Sequence, residues 1–251
     1  MLNQVPKQIV IIGGGASVKE GIQKGLWKKI SSKWTIGLNY SFNYFDSTML
    51  CYVDNDFYNK QIEKLEKLPL IVGKTHKFKC LPNTIMLNTG NKYIRDLSTG
   101  VYKSSLVGIF ALSLSIYLLN EGEIFLLGYD YGELRTEKFT KELKNPKELK
   151  EVTVKDKKNR AITHFYQGKI EHRGVGKVSY YNSHGRAKND FKVYKNENEV
   201  KIYNVSLVSK ITQFPKISYE EFFKKLDGKS YNQDIIRKVI IQKLESKRSN
   251  K

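Results

Sequence analysis

The residues best suited to chemistry in this sequence stand at the ends of apolar runs, and the first such group is a glycine turn. Gly13, Gly14 and Gly15 follow the apolar residues 9–12, and Ser17 comes next as a candidate N-cap for a helix. Glycine permits positive φ and the close approach of another group to the backbone. A helix N-terminus offers free N–H groups and a partial positive charge, which suit a phosphate. The stretch predicts a nucleotide- or phosphate-binding turn or, as the plainer alternative, only the first strand and turn of an α/β protein.

The spacing of the glycines narrows the class of nucleotide. A dinucleotide fingerprint needs a third glycine three residues after the second, and an acidic residue after the second strand. No glycine stands at that place after Gly15, and the predicted second strand at residues 34–38 is followed by Asn39. A nicotinamide or flavin enzyme is therefore disfavoured. The sequence also lacks a complete Walker loop, because neither of its glycine-lysine-serine/threonine runs, at residues 73–75 and 228–230, has a second glycine five residues earlier.

Polar residues follow the other predicted strands. Asn39, Asp54 and Asp130 each come directly or closely after an apolar run, and Tyr129 and Tyr131 flank the last of them. In open parallel sheets, ligands bind beyond the carboxyl ends of the strands. Asn39 can hydrogen-bond a base or a ribose, whereas Asp54 can hold a divalent ion or ribose hydroxyls, or can instead cap the next helix. The tyrosines can donate to a departing phosphate, or can simply anchor a loop.

A second turn of small residues precedes the longest apolar run. Ser98, Thr99 and Gly100 stand shortly before residues 106–119, which are apolar on almost every side. Such a run predicts a central, buried helix. The backbone and hydroxyls of the turn are predicted to meet a second part of the same ligand.

The middle of the chain differs from the rest in its high content of charged residues. Sixteen of the 28 residues from 133 to 160 are charged, so this segment can bury little surface and predicts a lid-like insertion, extending to about residue 182. His164, His172 and His184 then follow in a spacing that matches no usual zinc pattern. Because histidine accepts a proton near neutral pH, we expect one of the three to be functional.

Length and composition limit the class of protein to which this sequence can belong. The 251 residues have a formal net charge of +19 and are 40% hydrophobic, which is enough for a sizeable core in one large or two small domains. Cys51 and Cys80 form neither a disulfide framework nor a metal spacing. The longest apolar stretch is shorter than the roughly 20 residues needed to cross a bilayer, so we expect a soluble, cytoplasmic protein. The charge favours an anionic partner such as nucleic acid or a membrane surface, although a lysine-rich composition alone also explains it.

These patterns predict an α/β, Rossmann-like fold with a mostly parallel twisted sheet and helices on both faces. Residues 1–217 are expected to form the nucleotide-binding catalytic domain, with the lid-like insertion at about 133–182. Residues 218–251 are expected to form a C-terminal helical extension that opens with a capping box at Ser218 and Glu221. The basic end of this tail is a candidate for contact with a membrane or a partner chain, including a second copy of this one.

Several segments together resemble the bacterial sialyltransferases of glycosyltransferase family 42. They are IIGGGASVKE at residues 11–20, LN at 38–39, STGVY at 98–102, LGYDY at 127–131 and SHGRAKND at 183–190, in the family's order. The resemblance implies a Rossmann-like fold and transfer of a sugar from a cytidine nucleotide without a metal ion. It assigns the donor nucleotide to the glycine turn, Asn39 and the turn at residues 98–100. It makes His184 the general base, and Tyr129, Tyr131 and Tyr166 the candidates that assist the departing phosphate.

Other segments resemble the 6-hydroxymethylpterin diphosphokinase-like proteins found in phage and prokaryotic genomes. These are GLNY at residues 37–40, YVDNDF at 52–57, IYNVS at 202–206 and SKITQFP at 209–215. Kinship with the kinases of that group implies pyrophosphoryl transfer from ATP, with magnesium held by Asp54 and Asp130. A third hypothesis, from a different class, is a non-catalytic nucleotide- or nucleic-acid-binding protein.

Overall fold

The computed structural model describes residues 5–90, 101–102, 106–131, 165, 191, 194 and 199–246. Their strands are, in chain order, β1 Gln8–Ile12, β2 Trp34–Leu38, β3 Met49–Tyr52, β4 Ile71–Lys74, β5 Thr84–Leu87, β6 Thr89–Gly90, β7 Val101–Tyr102, β8 Gly122–Leu127 and β9 Val200–Asn204. The helices are α1 Val18–Gln23, α2 Leu26–Ile30, α3 Asn55–Leu65, α4 Val107–Leu119, α5 Tyr219–Lys225 and α6 Gln233–Glu245. A 3₁₀ turn spans Asn39–Asn43.

Seven of these strands form one sheet in the order β5-β4-β3-β2-β1-β8-β9, and every neighbouring pair is parallel. The short strands β6 and β7 pair separately. The predicted α/β, Rossmann-like architecture is confirmed. From β1 the chain first builds the sheet outward through β5 and later returns to add β8 on the other side of β1. The carboxyl ends of β1 and β8 therefore flank the crevice at which ligands of open α/β sheets bind.

Helices cover both faces of the sheet, which explains why its central strands are continuously apolar. Ile9 and Ile11 of β1 belong to the core that contains α4 and α6. Val10 and Ile12 belong to the opposite core, which contains residues of α1, α2 and α5. The helix α4 is buried on almost all sides and contacts β1, β2, β3 and β8, as its uniform apolar composition predicts.

Glycine and proline set two of the element boundaries. Gly25 adopts a left-handed conformation with φ of 72° and separates α1 from α2. Strand β4 begins at Ile71, shortly after Pro69, and proline has no N–H to donate to a strand ladder.

The C-terminal helices are attached to the sheet at its amino edge. The predicted capping box is present at the start of α5, where Ser218 accepts from the Glu221 N–H and Glu221 accepts from the Ser218 N–H. Further along, the buried Lys33 ammonium donates to the Asp227 carboxylate at 2.6 Å. Among the residues described, no helix has the length and apolar character that a membrane crossing needs.

Candidate functional site

The glycine turn and the end of β8 are hydrogen-bonded to each other. The Gly13 N–H donates to the Leu127 carbonyl at 2.7 Å, and the Gly15 N–H donates to the Gly128 carbonyl at 3.0 Å. A Cβ on Gly15 would lie 2.4 Å from that Gly128 oxygen. Gly128 has a positive φ of 69°, whereas the three glycines of the turn do not. The turn therefore needs glycine because the end of β8 approaches closely, and not because of a positive φ.

A carboxylate of the protein occupies the N-terminus of α1. Asp130 Oδ2 accepts from the Ser17 N–H at 2.9 Å, and Asp130 Oδ1 accepts from the Ser17 hydroxyl at 2.5 Å. The Ser206 hydroxyl also donates to Oδ1, at 2.8 Å. Burial raises the pKa of Asp130, although the hydrogen bonds from Ser17, Ser206 and the Ala16 backbone oppose that shift.

Two consequences follow for Ser17. It stands at the N-cap position of α1, but its side chain makes no cap hydrogen bond, so the predicted cap is wrong in that respect. The N–H that was expected to meet a phosphate donates instead to Asp130. A bound anion at this point would have to displace the carboxylate or lie beside it.

Tyr129 is part of the support beneath this network. Its side chain is only 1% exposed, and its hydroxyl donates to the Gly108 carbonyl at 2.9 Å. Its own carbonyl accepts from Asn204 Nδ2 at 3.2 Å and from the Ser209 hydroxyl at 2.6 Å. The phenol therefore cannot donate to a departing phosphate without leaving the core. Of the two predicted roles for Tyr129, anchoring the loop is the one that the contacts support.

Asn204, Ser206 and Ser209 were not predicted as site residues. The signal that points to them is topological, because β9 is the neighbour of β8 and ends at the same edge. Polar residues at or shortly after the end of β9 therefore lie beside the residues that follow β8. That order of strands cannot be known until the sheet is assembled.

Tyr131 remains at the rim of the site. It is partly exposed and adopts a positive φ of 45°. Its ring packs edge-on against Phe191, with 5.2 Å between the ring centroids. Phe191 comes shortly after the predicted histidine motif, so the chain returns to the edge of the sheet at that point.

Asn39 lies at the carboxyl end of β2, one strand away from the glycine turn, or about 5 Å by the spacing of strands. Its φ is 47°, a conformation that costs free energy and is often retained at functional sites. Its Oδ1 is buried and has no hydrogen-bond partner in the described part of the chain. A buried acceptor without a donor is costly, so this atom is suited to a ligand that brings one.

Asp54 is the N-cap of α3, which is the second of the two roles that the sequence predicted for it. Its carboxylate accepts from the Asp56 N–H at 2.9 Å and from the Phe57 N–H at 3.4 Å at the start of α3. Three strand spacings separate the end of β3 from the end of β8, which is about 14 Å. One magnesium ion cannot bridge Asp54 and Asp130 at that separation. In the ranges that the structure describes, no group of three histidine, cysteine or acidic side chains could hold a metal ion.

One residue of the predicted insertion contacts the glycine turn. The Phe165 N–H donates to the Gly14 carbonyl at 2.8 Å. Its ring is buried against Tyr44 and Phe45, at centroid distances of 5.2 and 6.1 Å. Phe165 therefore lies against the glycine turn. The other residues singled out from the sequence, Ser98, Thr99, Gly100, Tyr166 and His184, lie outside the described residues, as does the rest of the insertion at 133–182.

His76 is half-buried beyond the end of β4, and its Nε2 lies 2.7 Å from the Tyr52 hydroxyl. Its Nδ1 accepts from the Phe78 N–H at 3.1 Å, so the Nε2 carries the proton of the neutral ring. Burial lowers the pKa of His76 below its usual value.

A cavity of about 230 Å³ lies at the other edge of the sheet. Its walls include Met49 and Leu50 at the start of β3, Leu70 just before β4, and Arg237 of α6. These are amino ends of strands, so the cavity does not belong to the edge that carries the polar residues described above.

Comparison with known proteins identifies no relative: no family model, no curated protein and no solved structure is significantly similar to this chain.

Proposed function

We propose that this protein is a nucleotide-dependent transferase, and specifically a nucleotide-sugar-dependent glycosyltransferase. The observation that carries the proposal is the buried, unpartnered Oδ1 of Asn39, held at a positive φ beside the β1–β8 crevice. A ribose hydroxyl or the exocyclic amine of a base supplies the missing donor. The resemblance to the sialyltransferases makes a cytidine nucleotide the first candidate.

The contacts of Asp130 constrain where the donor's phosphate lies. Because the Ser17 N–H and hydroxyl already donate to that carboxylate, the usual anion position at α1 is taken. In the proposal the nucleoside lies along Gly14 and Asn39, and the phosphate is bound by the second turn of small residues at 98–100. This arrangement differs from a dinucleotide enzyme, in which the pyrophosphate meets the first helix.

The proposed reaction needs a proton acceptor and a stabilised leaving group. His184 removes the proton from the acceptor's hydroxyl while that oxygen bonds to the anomeric carbon of the sugar. The bond between that carbon and the donor phosphate breaks, and its electrons leave with the nucleotide. Tyr131 and Tyr166 then donate hydrogen bonds to the departing phosphate. No metal ion is required for these steps, and none is assigned to the site.

A thermal-shift screen with CMP, CDP, UDP, GDP and ATP, each with and without magnesium, tests the proposal. A ligand at 100 times its Kd adds about 2.7 kcal/mol of stability, which in a chain of this size raises Tm by roughly 5–10 °C. We expect this shift with a cytidine nucleotide in the absence of magnesium. A shift that appears only with ATP and magnesium contradicts the proposal and favours the diphosphokinase interpretation. No shift with any nucleotide contradicts both.

The His184→Gln variant tests the assigned base separately from the nucleotide site. We expect it to keep the nucleotide-dependent rise in Tm and to lose sugar transfer by at least about 100-fold, the usual contribution of a general base. Full transfer activity in this variant would show that another group accepts the proton.

A further inference from the structure

The loop that follows β4 is basic and presents one exposed aromatic ring. Phe78 is 42% exposed, and Lys77 and Lys79 on either side of it are exposed as well. Lys74 precedes them at the end of β4. The sequence from residue 67 to residue 90 contains no aspartate or glutamate. The surface here is therefore positive without an acidic neighbour in its own segment.

Hydrogen bonds fix the shape of this loop at three points. The Thr75 N–H donates to the Leu87 carbonyl at 3.0 Å and continues the pairing of β4 with β5. The Phe78 N–H donates to His76 Nδ1 at 3.1 Å, and the Tyr58 hydroxyl donates to the Lys79 carbonyl at 3.3 Å. The ring of Phe78 is thus presented by an ordered backbone, which lowers the entropy that binding would otherwise cost.

The chemistry of this surface suits single-stranded nucleic acid. Within the described part of the chain, neither Lys77 nor Lys79 is engaged in an ion pair, so both ammonium groups are available to phosphates. An aromatic ring between such lysines gives a base a face on which to stack. A membrane would need a wider apolar face, whereas the next aliphatic side chain along the sequence, Leu81, is 5% exposed.

We propose that residues 74–79 form a contact site for single-stranded nucleic acid, with a base stacked on Phe78 and phosphates bound by Lys77 and Lys79. The loop lies at the same edge of the sheet as Asn39, two strands away, or about 10 Å by strand spacing. A strand bound there would pass close to the proposed nucleotide site. The inference does not depend on the transferase reaction, because binding is measured without a sugar donor.

Fluorescence anisotropy with a labelled single strand of about 12 nucleotides, a length within the usual site sizes, tests the proposal. Phe78→Ala is expected to weaken binding roughly 5- to 100-fold, and Phe78→Trp to preserve it, because stacking needs only an aromatic face. The matched control is Ile22→Ala, since Ile22 is equally exposed, at 43%, on α1. It is expected to bind as the wild type does.

The charges are tested by the dependence of binding on salt. Each phosphate contact contributes about 0.7 to the slope of log K against log salt for a single strand, so the double variant Lys77→Gln/Lys79→Gln should lower the slope by about 1.4. The control Lys216→Gln/Lys238→Gln removes the same charge from exposed positions elsewhere. Its slope of log K against log salt should equal that of the wild type.

Three results would overturn the proposal. One is equal binding by Phe78→Ala and the wild type. Another is an equal loss of slope in the two double variants, which would indicate only diffuse attraction by the net charge. The third is Phe78-dependent binding to vesicles of phosphatidylserine with no Phe78-dependent binding to the oligonucleotide.

Discussion

Replacing Asp130 tests whether the glycine turn and the end of β8 form one unit. The carboxylate accepts hydrogen bonds from the Ser17 N–H at 2.9 Å, the Ser17 hydroxyl at 2.5 Å and the Ser206 hydroxyl at 2.8 Å. Ser17 and Ser206 are both 3% exposed, so water cannot readily replace the lost acceptor. Asp130→Ala removes all three bonds and leaves buried donors behind.

The expected magnitude follows from these contacts. A buried donor left without a partner costs about 1–3 kcal/mol, and a hydroxyl can turn to another acceptor whereas the backbone N–H cannot. Asp130→Ala also removes the free-energy penalty of burying an ionised carboxylate, and this offsets part of the cost of the unpaired donors. We therefore expect Asp130→Ala to destabilise the fold by about 3 kcal/mol. Asp130→Asn keeps one oxygen for the hydroxyls and should cost about half as much, roughly 1.5 kcal/mol.

Urea unfolding followed by circular dichroism measures both variants, with Asp46→Asn as an exposed control that should stay within about 0.5 kcal/mol of the wild type. The pH dependence has a defined sign. Because the pKa of Asp130 is raised in the folded state, the folded protein binds more protons than the unfolded chain. The wild type therefore loses stability relative to Asp130→Asn as the pH rises from about 3.9 through the raised pKa. A free energy of unfolding of Asp130→Ala equal to that of the wild type would refute the account of this network.

Two further substitutions test the packing and the ion pair that hold the edges of the sheet. Gly15→Ala places a Cβ 2.4 Å from a backbone oxygen and should lower the Tm markedly or abolish folding, while Gly228→Ala, with nothing within 4 Å, should melt as the wild type does; equal melting of the two variants would contradict the close approach of β8. Lys33→Met removes the cation from the part-buried Asp227 carboxylate, which keeps a hydrogen bond from the Tyr231 hydroxyl, and should cost about 2 kcal/mol in urea unfolding. The exposed control Lys216→Met should change the free energy of unfolding by less than about 0.5 kcal/mol, and an equally small effect at Lys33 would refute the role of the pair.

Much of the fold is predictable because its strands and central helix obey simple periodic rules. The bounds of β2 agree with those predicted from a short apolar run, and those of α4 differ from the prediction by one residue. The break at Gly25 was not predicted, because an isolated glycine inside a helical pattern is often tolerated. Whether it ends a helix depends on tertiary contacts that no local pattern contains.

The site is less predictable, for a physical reason that Gly15 illustrates. A glycine is required wherever any group comes close to the backbone, and a ligand phosphate and a carboxylate of the same chain impose the same requirement. The sequence pattern around Ser17 therefore did not reveal that Asp130, more than 100 residues later, satisfies its donors. Asn39 was predicted because its position depends only on the end of its own strand.

Calorimetric titration of the nucleotide that binds tightest tests the central claim most directly, using Asn39→Gly and Asn120→Gly. Both asparagines have positive φ, of 47° and 64°, so glycine fits both backbones, but Asn120 ends α4 at the amino edge of the sheet. Loss of the Asn39 acceptor should raise Kd about tenfold or more, since an unmade hydrogen bond in a buried site costs about 1–3 kcal/mol. Asn120→Gly should bind as the wild type does. Unchanged affinity in Asn39→Gly would contradict the proposed placement of the nucleotide.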